Sequence, residues 1–226
     1  MPSATKVRKD RAYTHEEISK LLSIADERMR VIILLLASSG IRVDAIQSIR
    51  LRSLEEMKIT VYENDREEYF TFITPECQKV IDVYLDMRLR YGEKLNDESY
   101  LIREQFDVKN PGKPRQVKTL TIERRLIDMA FRLGLRKNQI PIAHGFRKFF
   151  TTQLINSKVN PEIREMLLGH KIGLASAYYR PTEQEMLEEY EKAIDNLTID
   201  PANRLQRKID TLTIEKSRLD RIEEKC

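Results

Sequence analysis

The sequence predicts a mainly α-helical chain carrying one small antiparallel β-sheet, an α+β arrangement. Helix-start chemistry recurs along it, either as a capping box or as an N-cap residue followed by proline. Apolar residues at three- and four-residue spacing follow these starts. Two neighbouring runs instead alternate with period two across a polar link, which is the pattern of a hairpin.

Residues 1–11 read as a basic arm. Thr14-His15-Glu16-Glu17 is a capping box: the Thr14 hydroxyl can accept from the Glu17 N–H, and Glu17 can reach back. Ile18, Leu21, Leu22 and Ala25 then follow at helical spacing. The apolar run Val31 to Ala37 predicts a buried helix, interrupted by Ser38-Ser39-Gly40, with Arg42 just beyond. Met57 to Tyr62 and Tyr69 to Ile73 are the alternating runs, joined by the polar stretch from Glu63 to Glu68. Thr74-Pro75 opens a helix running to about Arg90. Residues 92–118 contain Gly92, Pro111, Gly112 and Pro114 and predict a long loop bearing Lys109, Lys113, Arg115 and Lys118.

Further helices are expected at about 121–133, 145–156 and 161–168, the last started by Asn160-Pro161. A second capping box, Thr182 to Glu185, opens a helix reaching about Ile194. In the tail, Leu205, Ile209, Leu212 and Leu219 keep a 3–4 spacing, with Lys216 at the remaining core position. That fits either a short coiled coil or a helix folded back on its own domain. The expected division is an arm at 1–11, one domain at 12–196 and a helical tail at 197–226.

A chain of 226 residues with 41% hydrophobic content can bury a core, and 34% charged residues predict a heavily charged surface. The net charge of +4 and pI of about 8.9 allow a nucleic-acid partner without requiring one. Two cysteines far apart, Cys77 and Cys226, offer neither a disulfide framework nor zinc-ligand spacing, which points to a reducing, cytoplasmic setting. The longest apolar run is too short to span a bilayer, and the N-terminus lacks the apolar stretch of a signal peptide, so no membrane association is expected.

The chemistry concentrates in a few polar residues: Arg42, His144, Arg147, His170 and Tyr179. Two guanidiniums can grip one phosphate through charge-assisted forks. His144 and Arg147 stand three apart, so a helix starting there shows both on one face. A histidine can bond a phosphate oxygen or move a proton near neutral pH. A tyrosine phenol becomes a useful nucleophile when a base or positive charge assists it. The set suits attack on a phosphodiester whose growing negative charge is held by arginines. His144 and His170 lack a convincing third metal ligand.

In order and spacing these residues resemble the tyrosine recombinase, or phage integrase, family. Ser39-Gly40-Ile41-Arg42 matches its first motif; His144, Arg147 and Thr152 match its second; Leu168-Gly169-His170, with Tyr179 nine residues later, matches its third. The resemblance covers about residues 12–195, and the hairpin and the surroundings of Tyr179 look most like integrases of archaea, their viruses and plasmids.

The resemblance implies the family's catalytic-domain fold for residues 12–196 and a reaction without metal, ATP or other cofactor. Tyr179 would attack the scissile phosphate of double-stranded DNA at an attachment site. The products would be a 3′-phosphotyrosyl link and a free 5′-hydroxyl. Arg42 and Arg147 would clamp the phosphate, His144 would assist proton movement, and His170 would bond a non-bridging oxygen. It further implies a tetramer on DNA, exchange of a C-terminal segment between neighbours, and an N-terminal clamp domain for which residues before 12 leave no room.

This sequence departs from the family pattern at three places. The hairpin lysine that protonates the leaving oxygen falls near Glu63, leaving Lys58 and Arg66 as candidates; the glutamate three residues after the first arginine is Ala45, with Asp44 adjacent; the residue after the second arginine is Lys148. Tyr178 is the alternative nucleophile. Competing functions are a non-catalytic DNA-binding protein of the same fold, a type IB topoisomerase-like activity, and an interaction module assembled through the tail. No small-molecule substrate is expected.

Overall fold

The computed structural model describes residues 10–104, 115–135, 140–171 and 179–223. The element order is α1 (His15–Ser23), α2 (Glu27–Ser39), β1 (Leu54–Glu55), β2 (Lys58–Val61), β3 (Tyr69–Phe72), α3 (Pro75–Arg90), α4 (Thr119–Arg132), α5 (His144–Asn156), α6 (Pro161–Leu167), α7 (Glu183–Glu191), α8 (Ile194–Leu197) and α9 (Pro201–Glu223). Two short 3₁₀ turns lie between α2 and β1.

Helix α2 is the centre of the fold. Ten of its thirteen residues are buried, so beyond its first turn it has no solvent face, and it packs against α1, α3, α5, α8 and β3. Both capping boxes form as expected, Thr14 with Glu17 and Thr182 with Glu185, and Pro75 and Pro161 occupy the first turns of α3 and α6. The hairpin pairs antiparallel, Lys58 opposite Phe72 and Val61 opposite Tyr69. A third strand, β1, pairs Leu54 with Ile59 and was not expected; two residues are too short to show a period.

The expected helix 182–194 is instead two, α7 and α8, broken at Lys192-Ala193. Packing accounts for the break: Ala193 and Ile194 are fully buried, and the buried Tyr190 hydroxyl donates to the Ser38 carbonyl at 2.8 Å. The core runs on through Leu197 to Ile199. Helix α9 then starts on a carboxylate seat: Glu76 of α3 accepts from the Ile199 and Asp200 N–H groups and from Asn203 Nδ2. Along α9, Leu205, Ile209 and Leu212 are exposed.

In the segment expected to be a loop, Arg103 bridges to Gln116, while Lys109 and Lys113 lie outside the described residues. Arg115 and Lys118 are exposed. Among the described residues no helix is long and apolar enough to cross a membrane.

Candidate active site

Arg147 is the hub that joins the three sequence motifs. It sits one turn into α5 and is 7% exposed. Its Nη1 donates to the Gly40 carbonyl at 2.7 Å, and its Nη2 donates to the Leu168 carbonyl at 2.6 Å and lies 2.8 Å from His170 Nε2.

Glycine makes both approaches possible. Gly40 ends α2 in the left-handed region, φ 63°, and a Cβ there would lie 2.3 Å from the Phe150 ring of α5. Gly169 follows α6 with φ 68°, and its Cβ would lie 2.5 Å from the Tyr69 ring of β3. Each glycine thus closes a helix and lets a second element come close, which carries Arg42 and His170 toward Arg147.

Arg42, His144 and Arg147 line one cleft of about 500 Å³ together with Ile142. His144, Arg147 and His170 line an adjoining one of about 390 Å³. Arg42, His144 and His170 are exposed, so the buried guanidinium lies beneath a solvent-accessible rim. Among the described residues, no carboxylate pairs with Arg147. Burial lowers its pKa, and the like charge of Arg42 adds to that.

The contrast with the other buried arginines is informative. Arg88 and Arg103 share the carboxylate of Glu93, at 2.6 and 2.7 Å. Another cleft of about 470 Å³, beside Tyr84, is lined by these arginines and by Arg125, which Asp26 neutralises at 2.7 Å. A buried guanidinium held by two carbonyls and an imidazole, with a second guanidinium nearby, instead has the donors and charge that can receive an anion.

The hairpin turn reaches this rim. Glu67 stands 3.9 Å from Arg42, and the Tyr62 hydroxyl donates to Asp44 at 3.1 Å. Tyr62 takes a left-handed backbone, φ 55°, rare for an aromatic residue. Burial and Asp44 push its phenol up to about 12. Tyr69 is raised by burial as well; its hydroxyl faces Arg147, is buried, and lacks a hydrogen-bond partner of good geometry. Both tyrosines are therefore held protonated. Sequence reasoning missed them because their proximity to the arginines arises from the hairpin's placement.

Four of the five expected residues converge here. Tyr179 does not line either cleft. It is half-buried against the core, and its phenol is raised by burial and by Glu185, Glu189 and Glu162. Tyr178 lies outside the described residues.

Of the hairpin candidates, Lys58 stands at the strand end away from the turn, bound to Glu55 at 2.7 Å and Glu183 at 3.0 Å. Arg66 is exposed within the turn. Glu63 accepts from Arg52 and Ser53. Ala45 is fully buried, and Lys148 pairs with Asp10 at 2.8 Å.

A sequence model described as the Phage integrase family matches residues 11–185. Tyrosine recombinase XerC of Leptospira interrogans is 28% identical over 176 residues, 75% of this chain and 52% of that protein. Among solved structures, XerA recombinase aligns with a TM-score of 0.60 at 23% identity, covering 85% of this chain and 66% of the other. An integrase from mycobacterium phage Brujita gives 0.58 at 18%, covering 85% and 60%. The chain spans about half the length of the curated relatives it matches, and the structural likenesses are of fold.

Proposed function

Because the chain belongs to the phage integrase family, we propose that it is the catalytic part of a site-specific DNA recombinase, with Tyr179 as its nucleophile. The observation that carries this reading is Arg147: a buried cation without a carboxylate partner among the described residues, tied to both neighbouring motif loops, beside Arg42.

In the proposed reaction a DNA phosphate enters between Arg42 and Arg147. The phenolic oxygen bonds to phosphorus, its proton passes to a base with help from His144, and the bond to the 5′-oxygen breaks. That oxygen takes up a proton, leaving a 3′-phosphotyrosyl link; a 5′-hydroxyl from another strand reverses the step. The arginines stabilise the extra charge of the transition state, and His170 donates to a non-bridging oxygen once its Nε2 also carries a proton, the Glu165 carboxylate holding the imidazolium. These steps use side chains alone and call on no metal or other cofactor.

Burial first, and then Glu185, Glu189 and Glu162, oppose ionisation of the Tyr179 phenol. Beside the arginines, positive charge would act in the opposite sense. At the hairpin, position favours Arg66 over Lys58. A guanidinium does not release its proton in proteins, so Arg66 would act on the leaving oxygen by charge.

The substrate is double-stranded DNA bearing an attachment site, and the setting is the cytoplasm, on the nucleoid. The biological task is integration or excision of a mobile element by a tetramer, with residues 12–196 as catalytic domain and residues 197–226 as an associating tail. A second reading is a DNA-binding protein that keeps this fold without cutting. It is favoured by Glu63, committed to Arg52 and Ser53, where the family carries a lysine.

A nicked DNA carrying a candidate site, incubated with the protein and resolved under denaturing conditions, tests both. A protein–DNA band lost in Tyr179→Phe supports the recombinase reading. A band surviving that change and lost in Tyr178→Phe moves the nucleophile by one residue. DNA binding with no adduct on any site supports the second reading.

A further inference from the structure

We propose that Glu165 is a positioning residue, which fixes the tautomer and orientation of His170 beside the phosphate site. This rests on the recombinase reading for its function and on geometry alone for its structural half.

The geometry begins with the end of α6. Gly169 takes the left-handed conformation and its N–H donates to the Met166 carbonyl at 2.8 Å; the N–H of His170 donates to the Glu165 carbonyl at 2.9 Å. This is a Schellman closure, in which the residue after the glycine folds back over the third-last helical residue. An apolar contact often spans those two positions. Here a carboxylate and an imidazole occupy them, and Glu165 Oε2 lies 2.6 Å from His170 Nδ1. Arg164 holds the other carboxylate oxygen, with Nε and Nη2 at 3.2 and 3.1 Å from Oε1. The bonds from His170 first, and then from Arg164, hold the Glu165 carboxyl below its usual range, so it is an anion and an acceptor.

A carboxylate at Nδ1 requires a proton on that nitrogen. On the other side of the ring, Nε2 faces Arg147 Nη2 at 2.8 Å, and a guanidinium can only donate. The two contacts are satisfied together by one neutral tautomer, with hydrogen on Nδ1 and the lone pair on Nε2. Glu165, His170 and Arg147 thus form a directed chain, carboxylate to imidazole to guanidinium, in which each member orients the next. Without Glu165 the ring gains freedom to flip or to carry its proton on Nε2, where it would oppose Arg147.

The test is a pair of variants with two readouts. Both replace a side chain that is 34% exposed, and the Schellman bonds are backbone bonds, so both should fold; thermal melting checks this. At alkaline pH, the ¹⁵N shifts of the ring nitrogens report which one carries the proton, with the His170 signals assigned by their loss in His170→Gln.

In the wild-type chain Nδ1 should be protonated. In Glu165→Leu the proton should redistribute to Nε2. In Glu165→Gln, whose amide oxygen still accepts, it should remain on Nδ1. On nicked DNA, adduct formation by Glu165→Leu should slow about 10-fold or more, by analogy with the carboxylates that orient metal-bound histidines. Its DNA affinity should be unchanged, and Glu165→Gln should recover most of the rate.

A Glu165→Leu protein that keeps the Nδ1 proton, or one that reacts at the wild-type rate, overturns the proposal. A wild-type chain that forms no adduct refutes the recombinase reading instead, and the nitrogen shifts still decide whether Glu165 sets His170.

Discussion

Replacing Gly40 with alanine tests the claim that the first motif's glycine serves contact as well as conformation. At φ 63° an alanine pays a left-handed penalty of about 1–2 kcal/mol. Its Cβ would also meet Phe150 at 2.3 Å from Cδ1 and 2.7 Å from Cγ. That ring is fully buried and cannot simply swing away, so overpacking adds about 1–3 kcal/mol. The expected loss is about 2–5 kcal/mol.

Gly92 is the control: φ is 86° and nothing lies within 4 Å of the added Cβ, so Gly92→Ala should lose only the conformational part, about 1–2 kcal/mol. Urea denaturation of both variants, compared at a common slope, isolates the packing contribution as their difference. A difference below about 0.5 kcal/mol would refute the argument that α2 and α5 meet at the limit of contact here. Because the Gly40 carbonyl also accepts from Arg147, Gly40→Ala should slow adduct formation even where the protein is fully folded, whereas Gly92→Ala should not.

Two further predictions concern the buried charges. Glu93→Gln leaves Arg88 and Arg103, 1% and 5% exposed in their side chains, without their shared anion, and should destabilise by about 3–5 kcal/mol in denaturant melts. Burial alone would raise the Glu93 pKa, but bonds from Arg88 and Arg103 outweigh it, and the net shift is downward. Its stabilisation is thus present above the unfolded carboxylate value of about 4.3 and is lost as pH falls through the folded one. The urea midpoint of the wild type should decline over that acid range, with part of the decline absent in Glu93→Gln. Arg147→Lys keeps the charge but cannot reach Gly40, Leu168 and His170 together. Adduct formation should fall by about 100-fold or more, and a loss below about threefold would show that the fork is dispensable.

The order of elements was legible because it rests on local chemistry. Thr14, Thr182, Pro75 and Pro161 mark helix starts through bonds made within one turn, and the period of Ile59 and Val61 marks a strand through two residues' spacing. The break at Lys192-Ala193 was not legible, since it is imposed by Tyr190 reaching Ser38, 152 residues away. The candidate site divides the same way. Arg42, His144, Arg147 and His170 stand out by type and spacing; that Tyr179 would lie among Glu162, Glu185 and Glu189 depends on how α6 and α7 pack.

Glu165 is the intermediate case. A glycine after a helix, read as a Schellman closure, places the next residue over the third-last helical one; Glu165 four residues before Gly169 therefore already implies a carboxylate against His170. What the motif could not supply is the second contact, from Arg147 to Nε2, and it is that contact which turns a surface hydrogen bond of small energetic weight into a constraint on which nitrogen carries the proton.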